Sequence, residues 1–143
     1  MTDRCTIDDL LARVRARLER VAPEDLSAEI RSGAVVIDVR PADQRARDGA
    51  LPGAVVVERN VLEWRLDPAS PDRIAEVTGF DERIIVVCNE GYSSSLAAAI
   101  LQDLGLHRAT VRRRGWSASR WRGGVARWRC RVDLRPAGRW RCW

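Results

Sequence analysis

A chain of 143 residues fits one domain with a tail and leaves no room for two full-sized ones. At 45% hydrophobic and 31% charged it can bury a real core, and no apolar run approaches the roughly 20 residues a membrane-spanning helix needs. The net charge of +5 averages two unlike pieces: residues 1–107 carry 13 arginines against 19 carboxylates, whereas residues 108–143 carry 12 arginines against one. The N-terminal stretch MTDRCTIDDLLARVRARLER is charged throughout and has no apolar signal-peptide core, so a cytoplasmic location is expected. Cys5, Cys88, Cys130 and Cys142 are too few and too irregular for a disulfide framework, and no CxxC pair suggests zinc. The chain has no lysine, a bias that reads as GC-rich coding rather than as function.

In chain order, Thr6 and Asp9 form a capping-box start, after which Ile7, Leu10, Leu11, Val14, Leu18 and Val21 recur at helical spacing. Pro23 opens a second short helix through Ile30, and Gly33 is placed to end it. Ala34–Val39 is a short, β-branched, almost wholly apolar run, as in a strand buried on both faces of a parallel sheet. Pro41 and Gly49–Gly53 break the chain, and Val55–Val57 reads as a second strand. Helical turns are expected over Asn60–Leu66 and Pro71–Val77, then a third buried strand over Arg83–Cys88. A helix is expected over Leu96–Leu104, with Gly105 as its stop, and a last strand begins at Ala109–Val111. Strands alternating with helices predict a parallel α/β sheet.

Cys88 is the informative residue. It stands at the carboxyl end of a predicted parallel strand, where open α/β sheets place their ligands. The loop Asn89-Glu90-Gly91-Tyr92-Ser93-Ser94 follows, then a helix start. Inward-pointing loop amides and the unpaired N–H groups of a helix N-terminus favour a thiolate over a thiol. Such a thiolate is a good nucleophile toward sulfur or phosphorus. The plain alternative is a small buried hydrophobe at a strand end; the short loop leading into a helix favours chemistry. His107, the lone histidine, lies beyond the far end of that helix. At 1.5 Å per residue this is roughly 15–18 Å from the loop, which excludes a Cys88–His107 dyad.

Four segments in order carry a family resemblance: VVIDVRP (35–41), GALPGA (49–54), ERNVLEWRLDP (58–68) and VVCNEGYSSSLAA (86–98). The chain from about Ser27 to Thr110 resembles the single-domain rhodaneses, a sulfurtransferase family, and within them a small actinobacterial group. The resemblance implies a three-layer α/β fold, with a central parallel sheet and helices on both faces. It divides the chain into an N-terminal helical extension (1–22), a rhodanese-like domain (23–111) and an Arg/Trp-rich tail (112–143). It implies sulfur transfer through a Cys88 persulfide, from a thiosulfate- or persulfide-type donor to a thiol or cyanide acceptor, with a protein thiol as one acceptor class. The alternative within the resemblance is a non-catalytic module that binds a partner or carries sulfur. No cofactor and no metal are implied. Asp38 is expected to anchor neighbouring backbone, and Arg40 and Arg59 to lend positive potential; the alternative for each arginine is an ion pair worth ~0–1 kcal/mol.

The departures from the family pattern bear on substrate. Ser93 stands where many rhodaneses have a basic residue, and Ser94 where a cysteine-dependent phosphatase needs arginine to grip phosphate bidentately. With Glu90 in the same loop, a less anionic donor than thiosulfate is expected. Ala50 replaces a histidine in the turn, and Gln44 stands where an acid is common in a helix; both are tolerable changes.

From Arg112 onward no strand or helix period is legible, and Arg-Trp-Arg recurs at 120–122, 127–129 and 139–141. Such composition can bind single-stranded nucleic acid or an anionic membrane surface, or can lack an evolved role. Nucleic-acid binding by the tail is not expected. The favoured reading is a frame shift near Thr110, which an intact reading frame at the sequenced locus would overturn. A sheet interrupted there is expected to leave an apolar edge uncovered.

Overall fold

The computed structural model describes residues 4–114; the expectations for the tail beyond Arg114, with Cys130 and Cys142, lie outside the described residues. Four short strands form one all-parallel sheet: β1 (Val35–Asp38), β2 (Val55–Val56), β3 (Ile84–Val87) and β4 (Thr110–Val111), in the order β2-β1-β3-β4. Along β1 and β3 the registers run Val35↔Ile84 to Asp38↔Val87. Five α-helices connect and cover the strands: α1 (Ile7–Ala16), α2 (Leu26–Arg31), α3 (Ala42–Asp48), α4 (Leu62–Leu66) and α5 (Ser93–Asp103).

The apolar run of β3, and that of β1 up to Asp38, are explained by burial on both faces. Ile37, Ile84, Val86 and Cys88 belong to a larger core with Leu62 and Leu66 of α4 and Ala97, Ala98 and Leu101 of α5. Val36, Ile85 and Val87 face the other way, onto Leu26 of α2 and Leu51. The side-chain period of two thus sorts alternate residues into two cores. It also places Cys88 on the α5 face. The three-layer α/β architecture expected from the sequence is present. Among the described residues no helix is long and apolar enough to cross a membrane.

Several boundaries differ from expectation, each for a tertiary reason. The capping box forms as read, with the Asp9 N–H donating to Thr6 Oγ1 at 3.1 Å and the Thr6 N–H to Asp9 Oδ2 at 3.0 Å. Yet α1 stops at Ala16, short of Leu18 and Val21. Val21 instead makes a parallel bridge to Arg112, its N–H donating to Val111 O at 3.0 Å, while Thr110 Oγ1 donates to Glu19 O. Glu19–Val21 therefore lies along the edge of β4 that was expected to stand uncovered. The regular backbone pairing also passes the expected boundary at residue 111, since the Arg113 N–H donates to Val21 O at 2.7 Å.

Pro71–Val77 is not helical. Asp67 Oδ1 takes the Ala69 N–H and Ser70 Oγ takes the Asp72 N–H, local bonds that compete with a helix. Ile74 and Val77 are still buried. Conversely α5 begins at Ser93, three residues before the expected start, because Ser94 and Ser95 find partners inside the site.

Candidate active site

Cys88 directly follows β3, and five residues later the chain is already in α5. Gly91, at φ +73°, lets the intervening loop turn back on itself, a conformation that costs a residue with a Cβ roughly 1–2 kcal/mol. The turn brings the Gly91 N–H to 3.1 Å from Cys88 Sγ. Ser94 Oγ, on the first turn of α5 and fully buried, lies 3.1 Å from the same sulfur. The sulfur thus meets one backbone donor and one hydroxyl, in a residue only 8% exposed. An atom so held can bear negative charge and attack a small electrophile that reaches it.

The other expected loop residues separate by role. Asn89 Nδ2 donates to Asp48 Oδ2 at 2.9 Å, tying the loop to the end of α3. Glu90, Tyr92 and Ser93 are exposed. Bonds from Arg47 and then from Asn89 lower the Asp48 carboxyl to about 2, well under the usual carboxylate range. A depressed carboxyl stabilises the fold fully above its ordinary value and loses that contribution as pH falls. The Asp48–Asn89 tie is therefore expected to persist down to roughly pH 4 and to fail on approach to pH 2. Carboxyl-carbon NMR titration checks this: a midpoint near 4 for Asp48 would contradict it.

Asp38 and Arg40 lie at the carboxyl end of β1, next to the end of β3 from which Cys88 follows. Asp38 ends β1 opposite Val87, and its Oδ1 accepts the Arg40 N–H at 3.0 Å. Arg40 is 0% exposed; its Nε and Nη2 grip the Asp38 carboxylate at 2.7–3.2 Å, and Nη2 also donates to Gly49 O at 2.9 Å. Its charge is thus matched inside the protein. Arg59 is placed elsewhere: it pairs with Glu63 at 2.8 Å and lines a cleft with Leu10 of α1 and Leu96, Ile100 and Asp103 of α5. It makes no hydrogen bond to the Cys88 loop among the described residues. For Arg59 the geometry is that of the ion-pair alternative. His107 is exposed and lies 3.4 Å from Asp81, apart from the loop.

Sequence reading missed two side chains that touch the loop. Ser95 Oγ donates to Gly91 O at 2.6 Å. Arg15, on α1, donates from Nη2 to Gly91 O at 2.9 Å and from Nε to Ser95 Oγ at 3.3 Å, and its guanidinium lies 5.4 Å from the centre of the Tyr92 ring. No signal in the sequence separates Arg15 from Arg13 and Arg17, its neighbours in an arginine-rich helix.

A family model described as rhodanese-like domain matches residues 22–121. Among solved structures, a protein of unknown function from Rhodopseudomonas palustris, described as a possible tyrosine phosphatase, is 29% identical. The match covers 80% of this chain and 88% of that one, with a TM-score of 0.68. The human single-domain sulfurtransferase is 24% identical over 68% of this chain and 90% of its own, with a TM-score of 0.57. A rhodanese-like domain protein from Staphylococcus aureus is 15% identical over 73% and 91%, with a TM-score of 0.51. No curated protein sequence matches.

Proposed function

Because the chain belongs to the rhodanese-like domain family, we propose that it transfers a sulfane sulfur through a persulfide on Cys88. The observation that carries this reading is the placement of Cys88 Sγ at the end of a central strand, 3.1 Å from both the Gly91 N–H and Ser94 Oγ. In the first half-reaction the Cys88 thiolate attacks the outer sulfur of a thiosulfate- or persulfide-type donor. A Cys88 S–S bond forms, the donor's S–S bond breaks, and the remainder of the donor (sulfite from thiosulfate, a thiolate from a persulfide) leaves with the electron pair. In the second, cyanide or a thiolate attacks the outer sulfur of the persulfide, and the Cys88 thiolate departs. The Gly91 N–H and the Ser94 hydroxyl lie against Cys88 Sγ itself, so they favour its thiolate before the first step and again as it departs in the second.

Phosphate chemistry has less support. The sixth position after Cys88 is Ser94, and no guanidinium belongs to the loop itself. One observation favours a second reading, a module that carries sulfur or binds a partner without turnover: loop 88–95 holds Glu90 and no cation.

Mass spectrometry of the thiosulfate-treated chain separates these readings. Sulfur transfer predicts a gain of one sulfur atom on the Cys88 peptide, its removal by cyanide and release of thiocyanate over many cycles. A gain on Cys88 with a single turnover supports the carrier reading. Folded protein that gains no sulfur on Cys88 overturns the proposal.

A further inference from the structure

The loop 88–95 lacks a cation of its own, yet one is fixed against it from the far end of the sequence. Arg15 Nη2 and Ser95 Oγ both grip the Gly91 carbonyl, at 2.9 and 2.6 Å, and Tyr92 lies against the same guanidinium. The amide of that same Gly91 meets Cys88 Sγ at 3.1 Å. One residue therefore joins the guanidinium to the sulfur. Because a trans peptide points its C=O and N–H in opposite directions, clamping the Gly91 carbonyl also holds the Tyr92 N–H away from Arg15.

The arginines beside it are engaged differently. Arg17 pairs with Asp103 and bonds Ala99 O, and Arg13 donates to Cys5 Sγ. Arg15 has no carboxylate within ion-pair distance among the described residues, so its charge is not cancelled at contact. Other charged residues near the loop include Glu90, Asp48 bonded to Asn89, Asp8 in the cavity that Arg15 and Tyr92 line, the matched Asp38–Arg40 pair, Arg20, which feels the charge of Arg15, and Arg112 and Arg114, whose backbone lies 3.9–4.0 Å from where a Gly91 Cβ would stand.

We propose that Arg15 of the N-terminal helix is a positioning and specificity-determining residue of the Cys88 site. Its guanidinium clamps the Gly91 carbonyl and supplies the positive charge that favours anionic reactants at the sulfur. In naming anionic sulfur donors as the favoured class this rests on the sulfur-transfer reading; the electrostatic part stands without it.

The test compares alkylation of Cys88 in the full-length chain by iodoacetate, an anion, and by iodoacetamide, its neutral counterpart, read at the Cys88 peptide. Arg15→Gln is expected to lower the iodoacetate-to-iodoacetamide rate ratio by roughly three- to tenfold. Arg15→Lys, which keeps the charge and loses the two-point grip, is expected to hold the ratio within about twofold while slowing both reagents. A purely structural role changes both rates together and leaves the ratio alone. A folded Gln variant with the parental ratio overturns the proposal. Should the Gln variant lack a cooperative thermal transition, Arg15→Met and the salt dependence of the parent decide: a parental ratio that added salt does not lower, or a folded Met variant with the parental ratio, overturns the proposal. In parent protein that gains no sulfur, a Gln-dependent fall in the ratio upholds the role of Arg15 and sinks only the sulfur-transfer reading. With active parent, the expected companion is a raised KM for thiosulfate with kcat less affected.

Discussion

Asp38→Ala is expected to lower the unfolding free energy by about 3–5 kcal/mol, because it leaves the Arg40 guanidinium buried without its counter-charge. Both side chains are essentially sealed, at 1% and 0% exposure, and Arg40 Nη1 already has no hydrogen-bond partner among the described residues. Little remains to absorb a second loss. Against a typical domain stability of roughly 5–15 kcal/mol, a change of that size removes a large share of the total. The double variant Asp38→Ala/Arg40→Met takes away the orphaned charge as well, and is expected to be more stable than Asp38→Ala alone. Urea unfolding of the parent, the two single variants and the double checks this. A double variant no more stable than Asp38→Ala would mean that lost packing and the lost Gly49 contact dominate instead. The pair lies where β1 leaves the sheet beside β3, so the site loop is expected to loosen along with the fold.

Cys88→Ser is expected to abolish sulfur transfer, because an alkoxide is inaccessible near neutrality and no persulfide can form on oxygen. Gly91→Ala is the more informative change. A Cβ at Gly91 would meet its nearest neighbours at 3.8–4.0 Å, which is ordinary contact. The penalty is therefore the positive φ, roughly 1–2 kcal/mol. The chain can escape that strain by turning the Gly91 peptide, which draws its N–H away from Cys88 Sγ. Activity is accordingly expected to fall by on the order of 100-fold, the usual cost of removing one preorganised donor. Steady-state thiocyanate production measures it, and a Gly91→Ala variant within about twofold of the parent would remove Gly91 from the proposed mechanism.

The strand pattern was readable because burial on both faces demands nearly continuous apolar residues, and 34–37 and 84–88 supply them. The start of α1 was readable because its capping box is a local device, complete within four residues. Where α1 ended was not. Val21 keeps the helical spacing on paper, but its backbone finds better partners along Val111 and Arg113, some 90 residues away. The start of α5 was hidden for a related reason: three successive serines read as loop until the hydroxyls of Ser94 and Ser95 have partners.

The sequence by itself determined the kind of sheet and singled out Cys88 and its loop as the candidate site, since strand period, glycine position and the strand-to-helix handover are all local. Asp38 and Arg40 were also nameable from it, by resemblance rather than by derivation. That they form a buried, mutually neutralising pair, and that Arg59 joins Glu63 instead of the loop, was decided only when the chain folded. The same holds for Arg15. Nothing in an exposed arginine-rich helix distinguishes it, because a side chain's role is set by which distant backbone it meets, and only tertiary packing of α1 against α5 brings it to Gly91.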